Sequence, residues 1–85
     1  VETTVVLPEE VDLHARPAAE LVRAAMPFNS KVRIVIDGDE ADAKSLLAVL
    51  ALGARRGTAL RLRAQGDDAA VALAAMAACV NGFVA

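Results

Sequence analysis

Eighty-five residues, 56% of them hydrophobic and 24% charged, fit one small folded domain over residues 1–85 and exclude a disordered tail. Nine basic residues against eleven acidic ones, with two Phe as the only aromatics, lack both the basic surface and the stacking platforms that nucleic acid requires. One cysteine, Cys79, and one histidine, His14, leave no intrachain disulfide and too few soft ligands for a zinc or haem site.

The run from Thr3 to Leu7 is β-rich and stopped by Pro8, and reads as a first strand. An acidic loop with Glu9, Glu10 and Asp12 follows. His14-Ala15-Arg16-Pro17 then opens a helix, because proline in a first turn removes only an amide that has no intrahelical acceptor. Ala18, Leu21, Val22 and Ala25 recur at helical spacing as its buried stripe, with Glu20 and Arg23 outside and Pro27 ending it. In Lys31 to Ile36, Val32, Ile34 and Ile36 mark the inner face of a second strand. Asp37-Gly38 is a strong hairpin signal, and a short return strand over 39–43 should follow.

Ser45 precedes a short apolar helix over Leu46 to Leu52, and Gly53 supplies the left-handed residue that ends it. Leu60, Leu62 and Ala64 alternate with Arg61, Arg63 and Gln65 in a fourth strand, so these arginines read as a solvated face. Gly66-Asp67-Asp68 supplies a cap for the last helix, where Ala69, Leu73, Met76, Val80 and Phe83 form the inner stripe. Cys79 reads there as a buried small hydrophobe. The order β-α-β-β-α-β-α predicts an α+β fold, a single four-stranded sheet with three helices on one face. The apolar run from Ala69 to Val80 falls short of the roughly 20 residues that span a bilayer, and no basic stretch followed by an apolar run opens the chain. A cytoplasmic protein with no membrane contact is expected.

Chemistry has one place to happen. Where the loop becomes the first helix, unpaired amides carry partial positive charge and form a ready anion site. Arg16 adds a fixed cation suited to phosphate or carboxylate, and His14 adds a side chain that is partly neutral and nucleophilic near pH 7. A nucleophile inside an anion site is what phosphoryl transfer to histidine needs. The plainer alternative is a lone histidine that merely caps a helix.

Leu13-His14-Ala15-Arg16-Pro17-Ala18-Ala19 resembles the active-site signature of the HPr family, the histidine-containing phosphocarriers of the bacterial phosphoenolpyruvate:sugar phosphotransferase system. Asp42-Ala43-Lys44-Ser45-Leu46-Leu47-Ala48-Val49-Leu50-Ala51-Leu52-Gly53 resembles the family's second signature, a regulatory serine and its short helix. The resemblance implies an open-faced β-sandwich of four antiparallel strands and three helices. It also implies that His14 takes a phosphoryl group on Nδ1 from phosphorylated enzyme I and passes it to an enzyme IIA. Arg16 would hold the phosphoryl group, the amides of Ala15 and Arg16 would complete its cradle, and Pro17 would fix the geometry at the helix start. Such a chain is a carrier, not an autonomous enzyme, and is expected to act as a monomer.

By the same resemblance, Leu46, Leu47 and Leu50 match the positions that dock the partner. A short helix that is apolar nearly all round cannot bury every face on a one-sided sheet, and of the three Leu47 and Leu50 are expected at the surface. Ser45 is expected as a helix cap and, by resemblance, as the target of a serine kinase and phosphatase. One position departs from the pattern: Asp12 stands where the family usually has glycine. Glycine there implies a permissive backbone, which Asp also tolerates, but a carboxylate would repel an incoming phosphoryl group unless it points to solvent. The alternative function is an HPr-like regulatory or nitrogen-branch domain that works mainly by docking a protein partner.

Overall fold

Hydropathy period decides the layout, two residues in the strands and three to four in the helices. The computed structural model describes residues 1–83, as β1 (Glu2–Val6), α1 (Ala15–Ala25), β2 (Lys31–Ile36), β3 (Asp39–Asp42), α2 (Leu46–Ala51), β4 (Ala59–Gln65) and α3 (Ala69–Asn81). Each expected element forms, in the expected order. The strands make one antiparallel sheet in the order β1-β4-β2-β3, so only β2 and β3 are both sheet and chain neighbours.

The register follows the alternation. Val5 lies opposite Leu60, and Ile34 lies opposite both Leu62 and Ala41, so one face of the sheet is apolar and carries the helices. The other face is open and charged. There Arg61 pairs with Glu2 at 3.3 Å, and Arg63 reaches Glu2 at 3.7 Å and Glu40 at 3.6 Å, as the outward reading of these arginines anticipated. Asp37 and Gly38 turn the β2–β3 hairpin with φ of 49° and 87°, the two positive values a tight two-residue turn demands.

Several details differ from the periodic reading. Val22 and Ile36 are half-buried, while Val35, on the opposite strand face, is buried between Arg61 and Glu40. Cys79 is half-buried instead of buried, and desolvation, with Glu20 close by, pushes its thiol pKa up. Asp68 stands at the start of α3 but does not cap it. Its carboxylate accepts from the amides of Asn29 (2.8 Å) and Ser30 (2.9 Å) and from the Ser30 hydroxyl, tying the start of α3 to the start of β2. These bonds hold the Asp68 carboxyl below its ordinary pKa, the Ser30 hydroxyl contributing most. Ser30 is the one buried polar residue among those described, and this bond satisfies it.

Candidate functional site

The segment between β1 and α1 has no ladder to hold it, and alternation holds it instead. Val11 and Leu13 are buried in the core, which turns Asp12 and His14 outward. The segment is then braced by the loop that follows α2. Leu7 donates to the Thr58 carbonyl and accepts from the Gly57 amide, both at 3.0 Å, and the Leu13 amide donates to the Ala54 carbonyl at 3.0 Å. Asp12 adds a side-chain tie, its Oδ1 accepting from the Arg56 amide at 2.7 Å. Its main-chain carbonyl accepts from the His14 amide at 2.9 Å. The backbone at Asp12 is not in the left-handed region, so the permissive conformation inferred from a family glycine is not in use here.

His14 has extended backbone angles (φ −90°, ψ −165°), and its carbonyl accepts from the Ala18 amide at 2.9 Å to close the first turn of α1. Its imidazole makes no capping hydrogen bond, contrary to the plainer reading of a helix-capping histidine. His14, Ala15 and Arg16 are exposed, whereas Pro17 is buried and anchors the turn. The amides of Ala15 and Arg16 have no intrahelical acceptor at these first two positions. No acidic residue stands in this first turn to neutralise the positive helix end, and Arg16 forms no ion pair among the described residues. An anion beside His14 would therefore meet two free amides, a helix end and a guanidinium together.

Ser45 starts α2, and its Oγ accepts from the Ala48 amide at 3.3 Å. With six residues, α2 is about 9 Å long, so Ser45 sits at one end and the loop bracing His14 leaves from the other. The leucines divide differently from expectation. Leu47 is 81% exposed and Leu46 is 39% exposed, but Leu50 is half-buried and packed on the core. The physical reason is helical spacing: at about 3.6 residues per turn Leu47 lies about 160° around the helix from the fully buried Val49, whereas Leu50 lies about 100° from it, on the flank that packs against the core. Met26, 56% exposed at the end of α1, adds an apolar side chain that the periodicity gave no reason to single out. The burial of Val11 and Leu13 has a signal in the sequence, the apolar-polar alternation from Val11 to His14 within the acidic loop.

Among the described residues, no cavity is lined by His14, Arg16 or Pro17. A cavity of about 280 Å³ on the open sheet face is lined by Thr4, Val35, Asp37, Gly38, Ala59 and Arg61, none of which belongs to the site. Among the described residues no group of three or more His, Cys, Asp or Glu side chains is placed to hold a metal ion, and no helix is long and apolar enough to cross a membrane. An exposed imidazole beside free helix amides, with exposed leucines on the neighbouring helix, forms an open surface and not an enclosed small-molecule pocket.

The family described as "PTS HPr component phosphorylation site" matches residues 1–82. The chain is 41% identical to the phosphocarrier protein HPr of Treponema pallidum, over 89% of this chain and 86% of that protein. It is 44% identical to the multiphosphoryl transfer protein of Vibrio cholerae over 81% of this chain, but it spans only 18% of that longer protein. The phosphocarrier protein HPr of Bacillus anthracis superimposes with a TM-score of 0.88 at 35% identity, covering 94% of this chain and 95% of the other. Sequence and fold agree over nearly the whole chain, which therefore belongs to the HPr family of phosphotransferase-system phosphocarriers.

Proposed function

We propose that His14 accepts a phosphoryl group from phosphorylated enzyme I and passes it to an enzyme IIA of a sugar phosphotransferase system. The Nδ1 lone pair attacks phosphorus, an N–P bond forms, and the bond from phosphorus to the donor breaks with its electron pair leaving on the donor. The reverse sense of the same step delivers the group to the acceptor. Nδ1 must be unprotonated, so the neutral tautomer with its proton on Nε2 is the reactive one. Arg16 and the amides of Ala15 and Arg16 hold the phosphoryl oxygens, and Pro17 keeps the turn in shape. The chain supplies positioning and charge while the donor supplies the activated group, so it acts as a transfer intermediate with no cofactor of its own.

The exposed leucines Leu46 and Leu47 dock the partner, with Leu50 supporting them from below. The chain works as a monomer of one domain. Ser45 is the modification site for a serine kinase and its phosphatase: phosphate is electrostatically favoured at a helix start and would place charge beside Leu46 and Leu47. The observation that carries the proposal is the exposed His14 imidazole, free of any capping bond, at a helix end with free amides and with an Arg16 that forms no ion pair among the described residues.

The test is incubation with enzyme I, Mg²⁺ and phosphoenolpyruvate, followed by intact mass and acid treatment. The protein should gain one acid-labile phosphate, and His14→Ala should gain none. A folded protein that gains nothing from an active donor would instead favour a docking module.

A further inference from the structure

The departure from the family pattern at Asp12 has a structural role in this chain. The loop before α1 is tied to the 54–58 loop at its far end through Leu7 and, next to His14, at two neighbouring points, the Leu13 amide on the Ala54 carbonyl and the Asp12 carboxylate on the Arg56 amide. One tie leaves a segment free to pivot; two consecutive ties fix its orientation. The second exists only because residue 12 carries an acceptor, since glycine would leave the Arg56 amide to water. Its length, 2.7 Å, is within the range of a well-formed N–H···O bond. The same residue reaches His14 through the main chain, because the Asp12 carbonyl accepts the His14 amide at 2.9 Å.

The carboxylate makes this contact with backbone and not with a cation. Arg55 and Arg56 are both exposed and neither forms an ion pair among the described residues. What Asp12 contributes is therefore an acceptor at a fixed place, and its charge is incidental to the geometry.

Resting on the reading of His14 as the phosphoacceptor, we propose that Asp12 is a positioning residue for transfer at His14, acting as a clamp on the Arg56 amide. Losing the clamp lets the His14 backbone swing. It lowers the transfer rate without weakening partner docking, because small misplacements of a nucleophile are costly.

Asp12→Ala and Asp12→Asn separate acceptor from charge. The solvent-exchange rate of the Arg56 amide, read by NMR on the unphosphorylated protein, should rise about tenfold in Asp12→Ala and stay near wild type in Asp12→Asn, which keeps an oxygen acceptor. Transfer from enzyme I should fall about three- to tenfold in kcat, with KM unchanged, in Asp12→Ala alone. Arg56 exchange unaltered in Asp12→Ala overturns the clamp. Equal losses in both variants overturn the acceptor role, and wild-type kcat in Asp12→Ala overturns the role in transfer. If the wild-type protein takes no phosphate at all, the His14 reading fails and the positioning role falls with it, while Arg56 exchange still decides whether the bond exists.

Discussion

Leu47 and Val49 sit two residues apart on α2 and make opposite predictions. Val49 is 0% exposed, and Val49→Ala removes two methyl groups from the core. At about 0.8 kcal/mol per buried methylene equivalent plus a cavity term, the loss is about 2–3 kcal/mol. For a domain of this size that is a fall in Tm of roughly 8–24 °C. Leu47 is 81% exposed, so Leu47→Ala should change stability by less than about 0.5 kcal/mol. Docking would bury most of that side chain, which is worth about 1–2 kcal/mol, or about a 5- to 30-fold rise in KM for this protein as substrate of enzyme I. Thermal melts followed by circular dichroism and steady-state transfer kinetics read both quantities. A Leu47→Ala protein with KM within twofold of wild type would refute the docking role, and one that melts as early as Val49→Ala would refute the exposed position.

Asp68 predicts a pH dependence. Its folded pKa is depressed, so its contribution is complete above the ordinary aspartate value near ~3.9 and is lost as pH falls through the lower folded value. The Tm gap between wild type and Asp68→Asn should therefore shrink between pH 5 and pH 2, and parallel curves would contradict this. Ser45→Ala removes the acceptor of the Ala48 amide and should cost about 1 kcal/mol, a Tm lower by about 4–8 °C. Because Ser45 lies at the end of α2 away from the loop bracing His14, phosphorylation by enzyme I should survive in this variant, as acid-labile mass would show.

Periodicity carried most of the fold. Leu60, Leu62 and Ala64 could only face a core if β4 were half-buried, and Asp37-Gly38 allowed little but a tight hairpin. The strand order β1-β4-β2-β3 was not legible, because it depends on which apolar edges meet across long connections and not on any local signal. The place of His14 at a helix start was readable from Arg16 and Pro17, but the bracing by residues 54–58 was not, since backbone bonds between loops leave no mark on composition. Leu50 and Asp68 mark two further limits. A helix as short and apolar as α2 gives no contrast by which to choose its outer face, and an Asp before a helix has the same signature whether it caps that helix or ties a neighbouring strand.

On the proposed function, His14 relays a phosphoryl group and does not merely retain one. Radiolabelled phosphoprotein, purified free of enzyme I and phosphoenolpyruvate, should lose its label on mixing with an unphosphorylated enzyme IIA. The label should appear on that protein faster than it is hydrolysed alone. Label that stays on this chain, or leaves only to water, in the presence of an enzyme IIA that accepts phosphate from another HPr would contradict the account.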